Sequence, residues 1–331
     1  MVLVEAHVGD RSGLGYTYGD AATGVLVRDT LAPLVEGHDA LSVRSTTERL
    51  RRACRNLGRP GIAAMAIAAV DSALWDLKAR LLDLPLATLL DAVRAAVPVY
   101  GSGGFTSYTD GQLAGQLAGW IEDGIPRVKM KVGSAPDRDL ERVRVARAAI
   151  GDDAELYVDA NGAYTRRQAL ALAGRFAADL DVSWFEEPVS SDDLQGLRFV
   201  RDHCPAGLEI AAGEYGYTLA SFTQLLEHHA VDCLQADVTR CEGIGGFLRV
   251  AALCEAANVP LSAHCAPAAH LHVCCAAAPV RHLEWFHDHV RVERLLFDGV
   301  AEPAGGALRP DLMRPGNGLE LKRRDAERFA L

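Results

Sequence analysis

Lys131, Asp159, Glu186, Glu214, Asp237, His264 and Glu284 follow one another at gaps of 28, 27, 28, 23, 27 and 20 residues. Three consecutive carboxylates brought to one place repel each other strongly unless a cation sits among them. An all-oxygen ligand set selects a hard ion, Mg²⁺ or Mn²⁺, over zinc. A lysine before them and a histidine after them are groups that move protons. The set therefore points to metal-assisted acid/base chemistry.

The elements that must position these residues follow from the spacing, which is one strand plus one helix. Each residue closes a short apolar or β-branched run: Arg127–Lys131, Leu156–Asp159, Val182–Glu186, Ile210–Glu214, Cys233–Asp237, Pro260–His264 and His282–Glu284. Helix-like stretches separate them, and an earlier run, Val97–Tyr100, supplies a first strand. This is the pattern of an α/β barrel, whose strand C-termini converge on one mouth and carry the chemistry.

Within the set, side-chain alternation along a strand lets only one acid of Glu186–Glu187 face the mouth. Glu186 is assigned to the metal with Asp159 and Glu214, and Glu187 to a supporting position. Asn161, two residues past Asp159, is placed to hold a ligand or water. Lys129 and Lys131, at i and i+2, share a face, and like-charge repulsion is expected to lower both pKa values toward those of a general base. A Lys-x-Lys pair alone is a weak signal; its place one βα unit before Asp159 strengthens it. Asp237 and His264, on neighbouring strands, form a carboxylate–imidazole pair and a second acid/base. Glu284 closes the ring and, if protonated, would donate a hydrogen bond.

Residues 1–95 read as an α+β portion. Strands are expected at Val2–His7 and Leu14–Tyr18, and helices at Ala22–Leu34, Ser45–Arg55 and Ile62–Leu82. The last is apolar on nearly all faces, which suits a helix sandwiched between two layers. After the barrel, 96–296, a Pro/Gly-rich tail within 297–331 is too irregular for a barrel helix and is expected to fold back onto the N-terminal portion. Gly101–Gly104 lacks the spacing of a nucleotide-binding loop.

With 331 residues, 49 % of them hydrophobic and 24 % charged, the chain has the composition of a soluble enzyme. Its formal charge of −10 argues against nucleic acid or an acidic membrane as partner. No apolar run reaches the roughly 18 residues of a membrane span. Eight cysteines show no CxxC spacing, and adjacent Cys274 and Cys275 read as buried small side chains of a cytoplasmic protein. His270, His272, His282, His287 and His289 match no short zinc motif.

Taken together, Lys129-x-Lys131, Asp159-Ala-Asn161, Glu186-Glu-Pro188, Gly213-Glu214, Asp237, His264 and Glu284 resemble the enolase superfamily, in its mandelate racemase subgroup. The resemblance covers nearly the whole chain. It implies a modified (β/α)₇β TIM barrel, with a capping domain built from residues 1–95 and 297–331. It implies Mg²⁺ on Asp159, Glu186 and Glu214, with Mn²⁺ as an alternative, and a homo-oligomer, dimer or octamer. It further implies one more strand and a closing loop ahead of what stands here as Met1.

The implied reaction is removal of the proton next to a carboxylate by Lys131 or His264. The first expectation is dehydration of a sugar acid or diacid to a 2-keto-3-deoxy acid. Ser102, Thr106, Tyr108, Asn161, Tyr164, Tyr215, Arg240 and His287 are expected to meet its hydroxyls. The alternatives are a racemase or epimerase of a 2-hydroxy acid, and an inactive truncated homologue. A cycloisomerase is disfavoured, because the resemblance implies a lysine at the position of His264 in such enzymes.

Overall fold

The computed structural model describes residues 1–330. The N-terminal portion opens with an antiparallel hairpin, β1 (Val2–Val8) and β2 (Arg11–Thr17). Helical segments Ala21–Leu26, Val27–Leu31 (a π turn) and Ala32–Val35 follow, then Val43–Ala53 and Ile62–Leu81. The long helix Ile62–Leu81 buries residues on nearly every face. β2 packs on one side of it and the barrel helix Gly243–Ala257 on the other. Alanines and glycines permit that closeness: a Cβ on Gly15 would lie 2.1 Å from the carbonyl of Ala69.

Eight parallel strands form the barrel: β3 (Val97–Gly103), β4 (Arg127–Lys131), β5 (Glu155–Asp159), β6 (Val182–Glu186), β7 (Glu209–Ala212), β8 (Cys233–Ala236), β9 (Leu261–Ala263) and β10 (Val280–Phe286). They pair in chain order, and β10 returns to β3 to close the ring. Strands buried on both faces need apolar residues on both. Outward side chains such as Val128, Leu156, Phe185, Ile210 and Leu234 pack in the main core. Inward, Tyr100, Tyr157, Trp184, Ala211 and Cys233 fill the barrel. Two βα helices, Asp110–Glu122 and Arg166–Leu180, begin with capping boxes, Thr109–Gln112 and Thr165–Gln168.

After Glu284 comes one more helix, His287–Leu296, with Val290, Glu293 and Leu296 on its buried face. The tail then adds β11 (Phe297–Asp298), β12 (Ala307–Leu308) and β13 (Glu320–Leu321). β12 pairs with the start of β3, and β11 with β13. Phe297 and Leu319 share a cluster with Leu14 and Tyr16 of β2. Asn317 donates its backbone N–H to Asp76 at 2.6 Å and its side-chain amide to the carbonyl of Leu14 at 3.1 Å. No helix is long and apolar enough to cross a membrane among the described residues.

Candidate active site

Strand register sets the first row of the site. Lys131 lies opposite Asp159, and Asp159 opposite Glu186. One inward step below, Lys129, Tyr157 and Trp184 lie side by side in the same pairings. The polar row therefore rests on the aromatic filling of the barrel. Glu214, Asp237 and His264 lie one or two residues past their strands, whereas Glu284 is inside β10, which runs on to Phe286.

Gly213 permits the turn that delivers Glu214: its φ is +139°, and a Cβ there would lie 2.0 Å from the carbonyl of Gln235. Just past His264, Cys265 and Ala266 both adopt left-handed backbone conformations, with φ of 52° and 40°. Strain of this kind persists only where the surroundings enforce it.

Carboxylate oxygens of Asp159, Glu186 and Glu214 lie within 4.8 Å of one another, and all three residues are buried. Burial, then the charge of Asp159, pushes the Glu186 carboxyl up to about 8. Glu187 behind it is pushed up to about 9 by burial and by Glu214. Oε1 of Glu186 and Oε1 of Glu187 have no hydrogen-bond partner although buried. Orphaned buried acceptors among crowded oxygens are the donor set a hard divalent cation requires, so these residues fit one.

The two lysines differ from the sequence reading. Lys129 is only 1 % exposed, with Nζ 2.6 Å from Glu186, 2.8 Å from Glu284 and 3.5 Å from Asp159. Burial disfavours its charge, but these carboxylates outweigh burial and raise its pKa well above the ordinary value. It sits as a buried cation among three carboxylates. Lys131, 17 % exposed, pairs with Asp159 Oδ2 and is likewise raised against burial. Carboxylates lie close to both ammonium groups, and their attraction outweighs both burial and the repulsion between the two lysines.

Across the mouth, Nδ1 of His264 lies 3.0 Å from Asp237 Oδ2. Its Nε2 lies 3.3 Å from Glu214 Oε2 and 3.3 Å from Cys265 Sγ. Burial lowers the imidazole pKa, but Cys265, Glu214 and Asp237 raise it well above 6.5 in sum. Asp237 also accepts from the backbone and hydroxyl of Thr239, each at 2.7 Å. Glu284 is held from three sides. Its Oε1 accepts from Ser102 at 2.6 Å and its Oε2 from the backbone of Cys265 at 2.8 Å. Burial raises this carboxyl, yet Lys129, His264 and Lys131 hold it well below the usual range.

A cavity of about 650 Å³ opens above Lys131, lined also by Phe105, Thr106, Ser107, Ser134, Asn161 and Asp288. Asn161 is thus at the mouth, and its backbone N–H holds Asp159 Oδ1 at 2.8 Å. Arg240 reaches the other side, 3.8 Å from Glu214 and 3.6 Å from Asp237, with its guanidinium over the ring of Tyr215. Tyr215 is 49 % exposed, and its hydroxyl is pushed up to about 12 by Glu214 and burial. His287 sits at the rim, 3.0 Å from Asp288.

Tyr164 is a correction. It is buried against Phe185 and donates its hydroxyl to Asp139, so it does not reach the mouth. Ser134 and Asp288 were missed; their signal was their place within three or four residues of a strand end. The remaining histidines are separately engaged, His270 by Val238, His272 by Ala87, His289 by Ala266 and Tyr18. No zinc cluster joins them among the described residues.

Residues 112–326 match the family model "Enolase C-terminal domain-like", and residues 7–91 match "Mandelate racemase / muconate lactonizing enzyme, N-terminal domain". The chain is 35 % identical to the 3,6-anhydro-alpha-L-galactonate cycloisomerase of Streptomyces coelicolor, over 94 % of this chain and 85 % of that protein. A crystal structure of a mandelate racemase/muconate lactonizing enzyme-like protein from Rubrobacter xylanophilus superposes with a TM-score of 0.97 at 60 % identity, covering 99 % of this chain and 91 % of that one. L-Talarate dehydratase from Polaromonas sp. JS666, solved with Mg and L-glucarate, superposes with a TM-score of 0.86 at 32 % identity, covering 96 % and 88 %.

Proposed function

The chain belongs to the mandelate racemase/muconate lactonizing enzyme family of the enolase superfamily, and from that membership and its site we propose that it is an acid-sugar dehydratase. The observation that carries the reading is the flanking of three crowded carboxylates by Lys131 on one side and the His264–Asp237 pair on the other.

Asp159, Glu186 and Glu214 would hold a divalent cation, Mg²⁺ by analogy with the glucarate complex, which when bound supplies positive charge against the substrate carboxylate. Lys131 or His264, according to substrate configuration, accepts the proton from the carbon next to that carboxylate. For Lys131 to serve, its ammonium first gives up its proton, which requires relief from Asp159. Electrons of the C–H bond enter the carboxylate, making an enolised acid. The partner residue then protonates the β-oxygen, the C–O bond breaks, water leaves, and the resulting enol becomes a 2-keto-3-deoxy acid. Asp237 keeps the imidazole in one tautomer and orientation. Lys129 and Ser102 keep Glu284 in place at the floor. Asn161, Tyr215, Arg240 and His287 are the candidates to meet substrate hydroxyls.

The identity to a cycloisomerase brings that class back as a second reading, although the sequence analysis set it aside. The same deprotonation serves both. If the β-oxygen belongs to an anhydro ring, its C–O cleavage opens the ring, no water is lost, and the product is an isomer. A screen of sugar acids, diacids and their 3,6-anhydro forms with Mg²⁺, detecting 2-keto-3-deoxy products as semicarbazones, tests both. A hit lost with EDTA and with Lys131→Ala or His264→Ala is expected. Full turnover in either variant overturns the reading.

A further inference from the structure

The site holds a second group of ligand atoms that the proposed reaction does not use as a group. Nε2 of His264, Sγ of Cys265 and a carboxylate oxygen of Glu284 lie within 4.8 Å of one another. Nε2 and Sγ are 3.3 Å apart, and Nε2 and Oε2 of Glu284 are 3.9 Å apart. Ligands on a tetrahedral zinc, with bonds of roughly 2.0 to 2.3 Å, stand about 3.3 to 3.8 Å from each other. Both distances from Nε2 lie at or within a few tenths of an ångström of that range, and the third pair stays within 4.8 Å.

The surroundings fit as well. A metal-bound histidine almost always gives its other ring N–H to a carboxylate, a backbone carbonyl or water, and here Asp237 Oδ2 stands 3.0 Å from Nδ1. Glu284 Oε2 is steered by the backbone N–H of Cys265, and Oε1 by Ser102 and Lys129. Oε2 of Glu214, 3.3 Å from Nε2, offers a fourth ligand shared with the oxygen site. His264, 6 % exposed, keeps an edge open to the mouth.

The chemistry separates the two sets. Three carboxylates select a hard ion, whereas thiolate, imidazole and carboxylate together select zinc or another thiophilic divalent ion. We propose that His264, Cys265 and Glu284 form a second, thiophilic cation site beside the oxygen site, and that zinc bound there blocks turnover. On binding, the thiol and the Nε2 position release any protons they carry to solvent, and each nitrogen or sulfur donates one pair to the ion. The imidazole is then withdrawn from proton transfer. The site stands independently of the dehydratase reading; only the block of turnover rests on it.

Cobalt(II) added to the Mg²⁺-saturated protein reports the site without any assay of activity, since only a thiolate ligand gives the sulfur-to-cobalt charge-transfer band. The wild type is expected to show the band, and Cys265→Ser and Cys265→Ala to lack it, with circular dichroism of both confirming folding. No band in the wild type, or one that survives in a folded variant, overturns the site. Where a substrate is in hand, the zinc concentration that halves turnover should rise at least ~10-fold in Cys265→Ser, since losing even a group that only supports a ligand costs ~10–100-fold in affinity. An unchanged zinc response overturns the block. A band without any turnover on acid sugars would leave the cation site standing and remove the dehydratase reading.

Discussion

Oδ2 of Asp237 and Nδ1 of His264 stand 3.0 Å apart, both residues buried, on the ends of neighbouring strands β8 and β9. This pair separates a histidine that is merely buried from one held to move a proton. Asp237→Asn keeps the shape and removes the charge. Turnover should fall by roughly 10²–10⁴, the usual contribution of a positioned acid/base. His264→Asn should match it, while a substrate whose α-proton faces Lys131 still exchanges that proton with solvent deuterium. Elimination at the wild-type rate in either variant contradicts the role.

Lys129 is buried among Glu186, Glu284 and Asp159. Lys129→Met leaves those carboxylates without their buried partner. Breaking a buried pair in this way costs about 3–5 kcal/mol. Urea denaturation in EDTA should register that loss, and Mg²⁺ should restore part of it. A variant as stable as the wild type in EDTA would refute the structural role.

Mg²⁺ itself should stabilise the wild type. At a hundredfold excess over its dissociation constant, a ligand of the folded state contributes about 2.7 kcal/mol. Glu214→Gln, which keeps volume but removes the negative charge and one of two acceptor oxygens at one corner, should reduce the response of the thermal midpoint to Mg²⁺. Equal responses would place the cation elsewhere.

Tyr164 and Asp139 form a buried hydroxyl–carboxylate pair away from the mouth. Tyr164→Phe removes the donor from a buried carboxylate that otherwise accepts from the backbone of Gly133 at 2.9 Å. Stability should drop by about 1–3 kcal/mol, with kcat and KM unchanged. A raised KM would return Tyr164 to the substrate.

Glu293 couples the hairpin to the barrel. It accepts from Tyr16 at 2.6 Å and from the backbone of Ala268 at 3.2 Å. Burial, against these hydrogen bonds, pushes its carboxyl from 4.5 up to about 8. Because the folded state holds this proton more tightly, the stabilisation is complete below about pH 4.5 and is lost as pH rises through about 8. Wild type should therefore lose stability relative to Glu293→Gln across that window. A difference in thermal midpoint that does not change with pH would contradict the shift.

The sequence by itself determined the barrel, the order of its strands and the seven residues at its mouth. A βα unit has a near-constant length, and a side chain that ends a buried strand has one place to go. It also determined which oxygens can gather, since Asp159, Glu186 and Glu214 end consecutive strands. Tertiary structure alone decided the charges. Lys129 and Lys131 look equivalent in the chain, yet one sits beneath three carboxylates and the other faces the cavity. Lys129, Ser102 and Cys265 converge on Glu284 from three different segments. Tyr164, in the loop before helix Arg166–Leu180, turns into the core, where Asp139 on helix Pro136–Ile150 accepts from its hydroxyl. Cys265 meets His264 only because the backbone turns left-handed there. Ionisation and hydrogen bonding depend on neighbours a few ångströms away in space, and those neighbours lie far off in sequence, 182 residues apart for Ser102 and Glu284 and 277 for Tyr16 and Glu293.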